Sequence, residues 1–182
     1  SNNAKLKITY AELMFGLEKF YESKELFEGC SKIPKLANYD KAATLIGIGY
    51  CNSMLINTTD RPEKLKQISQ TWKVAEELAK GTILERHILW MTGASLMSST
   101  TTQEDALPYF EEFLSKYPND PEKASALFMI GMILLTKNDN EGAMKIYRKL
   151  KKNNQEARQV KEFERILGLE GIDPSSGREI DK

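Results

Sequence analysis

The chain has 182 residues, 41% of them hydrophobic and 29% charged, which suits one folded domain or a helical array. Lys plus Arg and Asp plus Glu each total 26, so the formal charge is zero. That leaves no clustered basic footprint for nucleic acid and no general attraction to an anionic membrane; no apolar run approaches the roughly 18 residues of a membrane span.

The opening SNNAK lacks a Met and reads as a processed or engineered start. It leaves two localisations for a soluble chain, cytoplasmic or exported with a signal peptide removed, with the lean toward the second. Cys30 and Cys51 are too few for a disulfide scaffold and fit no redox or metal spacing. They read as buried small apolar residues, a single disulfide being the alternative.

Helical periodicity runs from the first residues to about 168. Leu13, Leu17, Phe20 and Tyr21, then Leu26, Phe27 and Cys30, predict one long helix or two with a break near Glu22–Lys24. A second helix begins at Asn38 or Asp40. A third starts near Pro62 and stops at Gly81, where glycine relaxes the backbone. The next runs from about Ile83 through Trp90 to Ser98. The polar SSTTTQED follows, with capping-box spacing between Thr102 and Asp105. Leu107–Tyr117 is helical, and Asp120 with Pro121 predicts a cap and a first helical residue. Two helices joined by NDN then lead to a last amphipathic one bearing Val160, Phe163, Ile166 and Leu167.

A period lies under these helices. Trp90, Ala94, Ala106 and Phe110 are echoed 37 residues later by Leu127, Gly131, Ala143 and Tyr147, and Pro118 closes the first unit. A weaker copy places Gly47 and Tyr50 in one helix and Ile68, Trp72 and Ala75 in the next. Small residues at Gly93, Ala94 and Gly131 are expected to let the paired helix approach closely. Phe110 and Tyr147 are expected to fill the space between units.

This pattern resembles the tetratricopeptide repeat family. The resemblance implies an all-α, right-handed α-solenoid of antiparallel helix pairs; the change of texture after Leu169 adds a short C-terminal hairpin or tail. It divides the chain into a repeat domain at 1–168 and a tail at 169–182. The units would be about 8–37, a degenerate 38–81, clear copies at 87–120 and 124–157, and a capping helix at 156–168.

No catalytic constellation emerges. His87 is the only histidine and reads as a satisfied structural residue. No His, Cys and carboxylate set has metal spacing, and no glycine-rich loop follows a strand. Glu76–Glu77, Glu104–Asp105 and Glu111–Glu112 read as solvated helix faces, since adjacent helical residues do not face each other. The basic run Lys145–Lys152 complements a helix C-terminus. Catalytic, cofactor and metal sites are therefore all assigned as none.

The resemblance instead implies a partner-binding groove on the concave face. Helical projection lines it with Ile48, Cys51 and Asn52, then Ile88, Met91 and Ser95, then Phe128, Met132 and Leu135. Lys41, Thr44, Ser98 and Ser125 flank that set. The lining is neutral and partly apolar, so the expected role is a non-catalytic scaffold for an apolar helical or extended peptide. Self-coverage by the last helix or by a second copy is the competing reading, and a homo-oligomer is compatible with it. The tail LEGIDPSSGREIDK alternates around a turn signal. It resembles the opening hairpin of thioredoxin-like thiol–disulfide oxidoreductase domains. On that alternative the chain is the helical front of a longer exported enzyme.

Overall fold

The computed structural model describes residues 2–57, 59, 61–153 and 158–168. Every regular element among them is helical, and they fall into two compact units, Ser1–Pro118 and Asn119–Lys182.

The first unit holds α1 (Asn2–Gly16), α2 (Phe20–Ser31), α3 (Asn38–Met54), α4 (Arg61–Ala79), α5 (Ile83–Leu96) and α6 (Leu107–Lys116). Each helix packs on the next, and α3 also touches α1 and α5. That is the contact pattern of stacked pairs, in which alternate helices share one face. Phe27, Cys30 and Cys51 join Ile8 and Ala11 in one apolar cluster. Ala42, Ile46, Ile68, Trp72, Ala75 and Ile88 form another. Gly47 and Gly49 make α3 thin on two sides: a Cβ at Gly47 would strike the Phe27 ring of α2, and one at Gly49 the Trp72 indole of α4. Trp72 Nε1 then donates to Ile46 O at 3.2 Å.

The break between α1 and α2 lies at Leu17–Lys19, not at Glu22–Lys24. Glu18 takes φ 60°, while Lys19 N–H donates to Met14 O and Glu18 N–H to Phe15 O. These are the two bonds of a Schellman ending. A non-glycine residue holds the left-handed position, so the usual sequence signal is missing.

Thr102 does not cap the following helix. It is buried, and its Oγ1 donates to Leu96 O at 2.7 Å, tying the Ser98–Thr102 loop back onto α5. A 3-10 turn at Gln103–Ala106 precedes α6. Both cysteines are buried and free, so the disulfide alternative falls. Burial pushes the Cys51 thiol up, and it donates to Ser23 Oγ at 3.3 Å.

The second unit holds α7 (Lys123–Thr136), α8 (Asn140–Asn153) and α9 (Arg158–Leu167). Helix α7 begins two residues past Pro121. Asp120 Oδ1 instead accepts from Glu122 N–H at 2.9 Å and closes the turn before it. Asn138, at φ 59°, ends α7 with the same bond pair as Glu18, and Asp139 Oδ1 caps α8 by accepting from Gly142 N–H at 2.9 Å. A Cβ at Gly131 would strike the Phe163 ring of α9 first, where its repeat position suggested the paired helix α8. Gly93 does meet its paired helix, through Phe110. The hairpin expected at 169–182 lies outside the described residues.

Candidate functional site

In the first unit, α1, α3 and α5 enclose a cleft of about 260 Å³. Its walls are Glu12 and Phe15 of α1, Ala43, Ile46 and Tyr50 of α3, and Leu84 and His87 of α5, and Phe27 and Gly47 complete the lining. Phe15 and Tyr50 stand with ring centroids 5.8 Å apart, and Tyr50 meets Trp72 at 5.4 Å and His87 at 5.9 Å. The Tyr50 hydroxyl lies 2.6 Å from His87 Nε2. Burial pushes the phenol up to about 12 and holds the imidazole below its ordinary value, with the Arg86 charge acting in the same direction. Both groups are therefore neutral near pH 7. The two form a neutral hydrogen bond whose direction is set by which imidazole nitrogen carries the proton. The result is an aromatic, uncharged pocket with one carboxylate at its rim.

The groove projected from helical spacing is only partly present. Cys51 and Ile88 are buried at 0% and 1% exposure and belong to the apolar core, so they offer nothing to a partner. Ile48 packs against the Phe27 cluster, and Met91 against the Trp72 cluster. Thr44 is buried and returns its hydroxyl to Asp40 O, while Lys41 and Ser98 are exposed and Asn52 and Ser95 half-buried.

Phe128, Met132 and Leu135 are half-buried in the second unit. The Phe128 and Phe163 centroids are 5.7 Å apart, and Gln159 Nε2 donates to Ser125 Oγ at 3.1 Å. Helix α9 thus covers the start of that projected surface. The residues missed by projection are Glu12, Phe15, Ala43 and Leu84. Tyr50 and His87 were noticed, but as a repeat marker and a lone histidine.

A polar cluster stands apart from the cleft. Lys116 Nζ lies 2.6 Å from Glu85 and Glu112 carboxylate oxygens and 3.8 Å from Glu76, joining α4, α5 and α6. Glu76 is 8% exposed, so it is not the solvated residue its neighbours suggested. Burial raises its carboxyl above the usual range, aided by the Glu112 charge. The hydrogen bonds from Lys116 and from Gly81 N–H hold Glu85 below it. Beside this cluster an open hollow of about 510 Å³ is bordered by Thr82, Ile83, Arg86 and Tyr117. Among the described residues no group of three or more His, Cys, Asp or Glu is placed to hold a metal ion.

Residues 125–157 match the tetratricopeptide repeat family, over the second of the two clear copies. Among solved structures, pilF of Pseudomonas aeruginosa is similar with a TM-score of 0.62 and 12% identity, over 90% of this chain and 66% of that one. The chain thus spans slightly under two thirds of pilF. YrrB, a TPR protein with an unusual peptide-binding site, is similar with a TM-score of 0.61 and 15% identity, over 91% of this chain and 78% of that one. No curated protein matches the sequence. At such identities the two structures share the fold with this chain, and the matching repeat adds the family resemblance. Residues 125–157 thus carry a tetratricopeptide-like repeat, and the described residues share the all-α fold of stacked helix pairs seen in those structures.

Proposed function

We propose that this chain is a non-catalytic protein-interaction scaffold that docks an extended or helical apolar peptide segment in the cleft of its first unit. The observation carrying the reading is that cleft: Phe15, Ile46, Tyr50 and Leu84 gather from three helices around an open, mostly apolar space. Ligand sites are concave and apolar with a few placed polar groups, and here Glu12 and the Tyr50–His87 pair fill that role. A large apolar side chain fits the walls, and Glu12 favours a neighbouring cation on the same peptide. The TPR protein YrrB, with its peptide-binding site, is a precedent on the same fold.

The test is selection of short peptides from a random display library on the folded chain. Sequences with one large apolar residue next to Lys or Arg are expected. Ala43→Trp, which fills the half-exposed cleft wall, should remove their binding while leaving the helical signal unchanged. Retained binding in that variant places the docking surface elsewhere.

A further inference from the structure

The cleft of the first unit contains the only histidine of the chain. Histidine is the side chain whose ordinary value lies between about pH 5 and 8. Both thiols are pushed further up by burial. Glu76, raised by burial, belongs to the Lys116 cluster and does not line the cleft. A change of charge in the cleft at mildly acid pH therefore falls on one imidazole.

The groups that face it can be named helix by helix. From α3, the Tyr50 hydroxyl lies 2.6 Å from His87 Nε2. From α1, Glu12 shares the cleft wall. On α5 itself, Arg86 is the charge that acts on the imidazole. Helices α4 and α6 gather Glu76, Glu112 and Lys116 beside Glu85. Glu85 precedes His87 by two positions and so points about 200° away around α5.

Protonation changes the cleft in two ways. The neutral imidazole and the phenol share one hydrogen bond. An imidazolium carries a proton on both nitrogens and only donates, so Tyr50 must accept and its own proton needs a new acceptor. A full positive charge then also stands beside Phe15, Ile46 and Leu84. An apolar guest seated there would strip that charge of water, which costs far more than covering a neutral ring. Glu12 can answer the new charge only by giving up the cation of the peptide.

We infer that His87 is a proton gate on this cleft: the apolar peptide segment is held while the imidazole is neutral and released when it is protonated. The inference rests on the docking reading above and adds its regulation. By linkage, a peptide that excludes the charged form lowers the proton affinity of the imidazole, and the proton lowers the affinity of the peptide by the same factor.

The probe is an end-blocked peptide without His, Asp or Glu, selected from the display library at pH 7.5 and sensitive to Ala43→Trp. Its affinity for the full chain should fall at least about fivefold from pH 7.5 to 5, with the helical circular dichroism signal retained. In His87→Gln the affinities at the two pH values should equal each other. The imidazole also gives a direct reading. Its Cε1 proton is one resonance in a chain with one histidine, and it should titrate at lower pH when the peptide is saturating than when it is absent. Equal binding by the wild type at both pH values overturns the gate and leaves the docking reading standing, as does an imidazole midpoint that the peptide does not lower. A loss that His87→Gln retains overturns the gate too and assigns the effect to Glu12. If the library yields no peptide sensitive to Ala43→Trp, the docking reading and the gate fall together.

Discussion

The ring of Phe163 fills the space that a side chain at residue 131 would need. Phe163 also meets Phe128 and Tyr147, at 5.7 and 5.9 Å between centroids. One aromatic of α9 thereby closes the α7–α8 pair, and the contact exists only because residue 131 has no Cβ. Gly131→Ala should destabilise the second unit by roughly 1–3 kcal/mol, the range for overpacking a filled core. Gly29→Ala is the control. A Cβ there meets nothing within 4 Å, and alanine should stabilise α2 by up to about 1 kcal/mol through helix propensity alone. Urea unfolding of both variants checks the opposite signs.

The Tyr50–His87 pair predicts an acid-sensitive first unit. The folded imidazole titrates below its ordinary value, so the unfolded chain binds the proton more readily. The contribution is therefore complete above about 6.5, the unperturbed histidine value. It is lost as pH falls from there toward the depressed folded value. Melting temperature measured from pH 7.5 to 5 should drop for the wild type and drop less for His87→Gln.

Lys116 compensates three carboxylates. Lys116→Met keeps the stem and removes the charge, leaving the poorly exposed Glu76 and Glu85 to repel each other and Glu112. A loss of about 1–2 kcal/mol at pH 7 is expected, less than for a buried pair because Lys116 reaches water. The loss should shrink on acidification, as Glu76, whose carboxyl is raised by burial, takes up a proton and the repulsion falls. Denaturant midpoints at pH 7 and at lower pH give the comparison.

Thr92 is fully buried on α5 and its Oγ1 has no hydrogen-bond partner. Thr92→Val removes that unsatisfied hydroxyl at nearly constant shape. Such a group costs about 1–3 kcal/mol to bury, so the variant should melt at the wild-type temperature or above. A clear drop in calorimetry would mean that the hydroxyl is hydrogen-bonded in solution.

The helices were legible because their apolar residues recur at short helical spacing, and the repeat because Trp90, Ala106 and Phe110 keep their order in the next copy. The α1–α2 break was not, because Glu18 holds a backbone conformation normally marked by glycine. Thr102 mimicked a cap because its spacing to Asp105 says nothing of the loop that turns its hydroxyl back onto Leu96 O. The cleft was hidden for a different reason. Phe15, Tyr50 and Leu84 stand far apart in sequence, and only the stacking of α1, α3 and α5 brings them together. Projection from one helix at a time also counted Cys51 and Ile88 as accessible, because it omits the neighbouring helices that bury them.

Helix α3 is the contact hub of the first unit, and its sequence is a poor helix former by itself. Gly47 and Gly49 each weaken a lone helix by about 1 kcal/mol, and Thr44, Ile46 and Ile48 add β-branched strain. Its helicity is therefore supplied by α2 and α4, whose Phe27 and Trp72 fill the places of the missing side chains. The two flanking helices and their hub are therefore expected to order together. A peptide of residues 38–54 alone would remain a coil.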